Sequence, residues 1–269
     1  MCGILQCMKK SILTVSVLAL GVLGLTSASV ATSATDAELQ PNLEALPAAD
    51  LHIENATDGR TLLRFSATTW NSGLGPLELI AGETTSTKQK VYQRIYLDDG
   101  TSYDNLAGEF VWHSDHNHFH FENYALYSLQ PVDAPGASER ISNKTTFCVM
   151  DTDRINHRLP GAPKKAHYTT CDADVQGMSV GWGDTYKYDL AGQDIDITDL
   201  PSGEYNLVVE VDPKNVLQET GELDNTSTVK IFIDAENGTV EIVSGGDDGG
   251  DDDDGGGNNG NGPPDHARN

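Results

Sequence analysis

Basic residues are scarce in this 269-residue sequence: 17 Lys and Arg stand against 41 Asp and Glu, for a formal net charge of −24. So acidic a chain has no electrostatic attraction to a phosphate backbone or an anionic lipid surface, which argues against nucleic acid and membrane as partners. The charge suits a salty habitat, a cationic substrate or plain solubility. Long apolar runs are equally rare. Residues 13–25 form one, shorter than the roughly 20 residues of a membrane span, and no second stretch approaches that length. There are only four cysteines, and none directly follows the apolar run, which argues against lipid attachment. Helical periodicity is missing too, since no segment combines a long 3.6-residue apolar period with caps.

The apolar run follows Lys9 and Lys10 and precedes Ser29, Val30 and Ala31, the layout of a secretory leader over residues 1–34. Met8 reads as a more natural start than Met1. Export, to the extracellular space or the periplasm, would remove Cys2 and Cys7 with the leader and leave no segment to hold the chain in a membrane. Cys148 and Cys171 would remain, and an even pair in an oxidising compartment is most simply a disulfide. The alternative use of the pair is thiolate ligation of a metal.

Residues 35–49, polar with interspersed Ala and Pro, read as an exposed lead-in, with order beginning near Asp50. From there, short runs rich in Leu, Thr, Val, Ile and Tyr alternate with clusters of Gly, Asn and Asp. Asp99-Gly100 is a good hairpin turn. Residues 151–182, with Pro160 and Pro163, interrupt the pattern, and clean strands return over 194–198 and 204–211. The sum predicts an all-β fold: a single β-sandwich domain over residues 50–244 with long irregular loops. From Gly245 the composition collapses to Gly, Asp and Asn, so residues 245–269 are expected to be a disordered acidic tail.

What the sequence concentrates is histidine. Four of its eight histidines are His113, His116, His118 and His120. In extended chain successive side chains alternate faces, so His116, His118 and His120 share one face and Asn117, Phe119 and Phe121 take the other. Three imidazoles from one strand read as a metal site. The span is a constraint, because the outer α-carbons of an i, i+4 pair in an ideal strand lie roughly 13 Å apart. That is far for bonds of about 2 Å to one ion, so a bend, bulge or strong twist is expected. His113 is either a fourth ligand or a partner of one. Imidazoles suit copper, zinc, iron or nickel, and the ligands alone leave that choice open.

The segment Trp112-His-Ser-x-His-x-His-x-His120 resembles the copper-binding segment of the lysyl oxidase family. Lys144-Thr-Thr-Phe-Cys148, continued by Asp151 and Thr152, is similar to the segment that carries the family's cofactor lysine. Gly183-Asp-Thr-Tyr186, after Gln176-Gly-Met-Ser179, is similar to the one that carries its cofactor tyrosine. Residues 195–205 and Val211-Asp-Pro213 resemble its closing strands, and Arg60–Phe65 and Asn71–Gly73 fit more weakly. The resemblance implies a copper amine oxidase with copper on His116, His118 and His120 and a lysine tyrosylquinone made from Lys144 and Tyr186. It also implies that a primary amine or lysyl peptide is oxidised by O2 to an aldehyde, with release of ammonia and hydrogen peroxide. Lysine suits the cross-link because its stem reaches and its amine pKa falls on desolvation, which arginine could not reproduce. The base that takes the substrate's proton stays open, with Asp184 and Asp115 as candidates.

A calcium site is implied as well, from Asp50, the Leu51 carbonyl, Glu219, Asp224 and Asn225, hard oxygens of the kind calcium takes. An acidic turn without an ion is the alternative. Animal members carry additional cysteines, one where this chain has Asp115, so their disulfide pattern does not carry over. Three other readings share the histidine segment. One is a secreted copper-binding β-sandwich without a quinone. Another is a zinc hydrolase with an activated water. The third is a non-catalytic adhesion domain, which leaves the histidines without a use.

Overall fold

The Thr61–Asn71 strand is rich in Thr, Leu and aromatic residues, which favour a pleated, half-buried surface, and it has neighbours along both edges. On one edge Leu43–Ala45 and Ala49–Asn55 pair with it end to end. On the other, Trp182–Tyr186 and Asp194–Asp196 do the same. Asp153–Arg154 adds to Trp182–Tyr186, completing a six-stranded sheet. The computed structural model describes residues 36–85, 88–113, 118–171 and 174–245. Within them lies a five-stranded sheet in the order Arg140–Ile141, Ala125–Asp133, Gly203–Val211, Thr226–Asp234, Thr239–Gly245. A seven-stranded sheet runs Thr146–Phe147, His118–Glu122, Ser102–His113, Lys88–Leu97, Leu77–Thr84, Val175–Met178, with Glu38–Leu39 beside Lys88–Leu97. The neighbours are antiparallel and no helix occurs among the described residues, so the expected all-β sandwich class holds.

Alternation decides what each strand gives the core. Gly203–Val211 alternates buried and half-buried positions throughout, placing Tyr205, Leu207 and Val209 inside. Burying a side chain of this size contributes about 1.5–3 kcal/mol. Phe65 of the six-stranded sheet meets Tyr127 of the five-stranded sheet edge-on, with ring centroids 5.2 Å apart. Phe147 packs against Tyr127 at 5.7 Å and Tyr124 at 5.8 Å, which ties the third sheet to the same core. The buried hydroxyls find partners: Tyr124 pairs with Thr69 Oγ1 at 2.7 Å and Tyr205 donates to the Pro201 carbonyl at 2.7 Å. Asp99-Gly100 forms the predicted turn between Lys88–Leu97 and Ser102–His113. Gly100 sits there at φ 85°, and Asp99 Oδ1 accepts the Thr101 N–H at 2.8 Å.

The expectation of an exposed lead-in over residues 35–49 is corrected. Leu43 is fully buried and Ala45 and Ala48 join the same core, because the short strand Leu43–Ala45 docks on Thr61–Asn71. The expected leader over residues 1–34 lies outside the described residues, as does the expected tail over 245–269 apart from Gly245, which ends the Thr239–Gly245 strand.

The irregular stretch after the Thr146–Phe147 strand is fixed by two anchors. Cys148 and Cys171 form the expected disulfide, with α-carbons 5.4 Å apart. The buried Asp151 carboxylate accepts the N–H groups of His167, Tyr168 and Ser179 and the Ser179 hydroxyl. Replacing both cysteines by alanine should lower the unfolding free energy by about 3 kcal/mol, as the chain-entropy account gives for a loop of this length. Urea denaturation would show it as a lower midpoint, with a steeper slope as the unbridged unfolded chain exposes more surface. An unmoved midpoint would mean that Asp151 alone holds the loop.

Candidate active site

The histidine segment is a hairpin. Ser102–His113 pairs with His118–Glu122 in the register Val111↔His120, Trp112↔Phe119, His113↔His118. Residues directly opposite each other share a face, as do those two apart on one strand. His113, His118 and His120 therefore gather on one side. Their rings bear this out: His113 and His120 have centroids 4.8 Å apart, and His118 and His120 4.7 Å. Trp112 and Phe119 pack on the other side at 5.0 Å. His118 and His120 share the face that strand alternation gives them. The chain reverses between His113 and His118, so His113 arrives from the opposite arm. His116 and Asp115 lie outside the described residues.

His118 Nε2 and His120 Nε2 converge to 2.7 Å, while His120 Nδ1 meets Thr146 Oγ1 at 3.1 Å. A hydroxyl on one ring nitrogen sets which way the other points. Two donors on one ion at about 2 Å each would stand about 3 Å apart, so the pair fits a shared metal with little adjustment. Among the described residues no three His, Cys, Asp or Glu side chains form a complete metal cluster.

Lys144 and Tyr186 are far apart in sequence and adjacent in space. The Thr146–Phe147 strand pairs with His118–Glu122, which carries Lys144 to the edge of the histidine hairpin. The Lys144 backbone N–H donates to Ser142 Oγ, whose hydroxyl in turn donates to the Asp194 carbonyl. Lys144 Nζ lies 4.8 Å from the Tyr186 ring centroid and 5.2 Å from that of Phe147. The Tyr186 hydroxyl accepts the Cys148 N–H at 2.8 Å and donates to the Cys148 carbonyl at 2.9 Å. The Phe147 ring packs edge-on against it at 4.9 Å. Burial pushes the Lys144 ammonium down, opposed by the Asp184 and Asp194 carboxyls. Burial pushes the Tyr186 phenol up.

Asp184 is the residue whose surroundings sequence reasoning missed. It is buried on the face of the Trp182–Tyr186 strand that also carries Tyr186. The Met150 amide donates to its carboxyl group. Among the described residues Oδ2 meets no donor. Burial pushes this carboxyl well above the usual range, with the Met150 N–H and Lys144 acting in the other direction.

The acidic turn near residue 220 is assembled differently from the expectation. Glu219 accepts the Leu43 N–H at 2.6 Å and the Asn225 amide at 2.8 Å, and Asp224 accepts the Asn42 amide at 2.7 Å. Asp224 Oδ1 and Asn225 Oδ1 are buried without a donor among the described residues. Asp50 accepts from Ser66 Oγ further along the same sheet. Asn42 and Leu43, which precede Asp50 and Leu51 in the chain, are thus among the residues that hydrogen-bond with the turn. Desolvation pushes Glu219 up to about 7 and Asp212 up to about 6.

The model of the family described as lysyl oxidase matches residues 100–242. Protein-lysine 6-oxidase of Sus scrofa is 35% identical over 125 residues, 45% of this chain and 45% of the relative. Lysyl oxidase homolog 3B of Danio rerio is 34% identical over 111 residues, 41% of this chain and 13% of the relative. Lysyl oxidase homolog 4 of Mus musculus is 28% identical over 170 residues, 63% of this chain and 18% of the relative. The chain thus spans less than half the length of each. The family match runs over more than half of this sequence and takes in the histidine hairpin, Lys144 and Tyr186, and on that ground the chain belongs to the lysyl oxidase family.

Proposed function

We propose that this chain is a secreted copper-dependent amine oxidase that makes its own lysine tyrosylquinone from Lys144 and Tyr186. The observation that carries the reading is the 4.8 Å between Lys144 Nζ and the Tyr186 ring centroid, which leaves the amine close to the ring it must join. In this reading copper is held by His116, His118 and His120, with His113 packed against His120. The substrate is a lysyl peptide or a small primary amine, a class favoured by the acidic charge of the chain. A relative named protein-lysine 6-oxidase supports the same class.

Copper and the quinone together supply the redox chemistry, the transfer of two electrons from the amine to O2. The chain's own side chains do the rest. Thr146 orients His120 through Nδ1. The Cys148 backbone pins the Tyr186 oxygen from both sides. Phe147 and the sheets around it remove water from Lys144, which favours its neutral, nucleophilic form. Within the described residues no helix is long and apolar enough to cross a membrane.

Copper-loaded full-length protein given n-butylamine in air should release hydrogen peroxide and aldehyde in equal amounts. Lys144→Arg should reduce the release to background while copper content stays the same. His118→Ala should lose both. Full copper occupancy without amine-dependent peroxide would instead favour the copper-binding module.

The acidic turn is the place for the implied calcium, on Glu219, Asp224 and Asn225 together with Asn42, whose oxygens suit a hard cation. Without an ion, a carboxyl raised on folding stabilises the protein below its unfolded pKa and loses that contribution as pH climbs through the folded value. For Glu219 that window runs from the ordinary 4.5 to about 7. In chelator, denaturation between about pH 5 and about pH 8 should show declining stability, flattened in Glu219→Gln. Added calcium should restore the unaltered protein at the alkaline end and leave the variant unmoved. An equal slope in both proteins would contradict the assignment.

A further inference from the structure

Four carboxylates surround the Lys144–Tyr186 pair or its immediate neighbours, and three are already engaged. Asp194 faces Lys144 but stands 4.0 Å from Arg64 Nη1 and is partly exposed. Asp151 accepts from four donors. Asp153, on the Asp153–Arg154 strand, accepts the Thr152 hydroxyl at 3.0 Å. Asp184 alone is fully buried with an oxygen that meets no donor among the described residues. Thr69, directly across the strand pair, has its hydroxyl paired with that of Tyr124 at 2.7 Å.

The position is fixed as well as open. Asp184 and Tyr186 are two residues apart on one strand, so their α-carbons are about 7 Å apart and their side chains project on the same side. A Cβ at the neighbouring Gly183 would meet Ile155 Cγ1 at 2.9 Å and the Thr69 carbonyl at 3.0 Å. Backbone packed that closely holds the carboxyl in place. The charged and titratable groups facing it are Lys144, Asp151, Asp153, Tyr124, Tyr127 and Tyr186. Lys144 is the one cation among them, and the two are not in ion-pair contact within the described residues. A buried acceptor oxygen left without a donor is costly, and such exceptions concentrate where a group must act on something that is not part of the chain.

We propose that Asp184 is the catalytic base of amine oxidation, a residue assignment that rests on the amine-oxidase reading above. In the step assigned to it, the C–H bond beside the amine nitrogen breaks and the proton goes to Asp184 Oδ2. The electron pair of that bond passes to the cofactor and from there to O2, which leaves as hydrogen peroxide. Water supplies the aldehyde oxygen, and the nitrogen leaves as ammonia. The other sequence candidate, Asp115, lies outside the described residues. Burial places the Asp184 carboxyl well above the usual carboxylate range, in the direction that brings a base nearer neutrality. Since only its anion accepts a proton, activity rises with pH through its titration.

The test uses the full chain matured with copper in air, with the cofactor counted by phenylhydrazine and n-butylamine turnover expressed per cofactor across pH. Asp184→Asn is expected to keep its copper and its cofactor. Its turnover per cofactor should drop by about a hundredfold or more, and the acidic limb of the profile should disappear. Asp184→Glu should recover part of the turnover with the limb displaced. Ordinary turnover and an unchanged limb in Asp184→Asn would overturn the assignment. If Asp184→Asn forms no cofactor, Asp184→Glu decides: a displaced limb supports the base and an unmoved limb overturns it. Absence of a phenylhydrazine-reactive cofactor in the unaltered protein would remove the amine-oxidase reading, and this assignment with it.

Discussion

The two-residue pairing of Thr146–Phe147 with the histidine strand is the contact on which the candidate site depends. From it, the Thr146 hydroxyl reaches His120. The next residue sets the Phe147 ring against Tyr124, Tyr127 and Tyr186, and the one after that offers its backbone to the Tyr186 hydroxyl. Lys144 stands two positions before the pairing and is carried over the Tyr186 ring. Five consecutive residues thus join the histidines to the lysine and the tyrosine. The disulfide at Cys148 anchors the far end of this run to the loop beyond it.

The arrangement is expensive in stability and useful in chemistry. A half-buried lysine and a buried carboxyl with an oxygen lacking a donor both oppose folding through desolvation. The three sheets offset that cost with an apolar core that includes Phe65, Leu63, Tyr205, Leu207, Val209 and Ile231. The same desolvation shifts each group toward its neutral form. For Lys144 that is the nucleophilic amine, and for Asp184 it is a carboxyl that titrates closer to neutral pH. Stabilising scaffold and destabilised site are therefore separable by residue.

Much of the scaffold was legible because alternation is a local property. Gly203–Val211 reads as a strand and is one, and Asp99-Gly100 reads as a turn and is one. The Cys148–Cys171 bridge followed from cysteine arithmetic. The site was less legible because it depends on pairing between distant segments. Sequence spacing put His118 and His120 on one face, yet it could not show that His113 returns across a hairpin to join them. Leu43 looked like part of a polar lead-in because a three-residue strand carries too little pattern to identify its core face. Nor could local pattern show that Asn42 hydrogen-bonds with the acidic turn. Nothing local in Gly183-Asp-Thr-Tyr186 signals that Asp184 is buried without a donor on Oδ2. That emerges only when the strand is flanked by Thr61–Asn71 and Asp153–Arg154.

The central claim is that Lys144 and Tyr186 are close enough to become one cofactor. Peptide mass mapping of the full-length protein, matured with copper in air, tests it most directly. The account predicts a single species in which the Lys144 peptide is covalently joined to the Tyr186 peptide, absent from Lys144→Ala and from protein matured without copper. Two separate, unmodified peptides at full copper occupancy would contradict it.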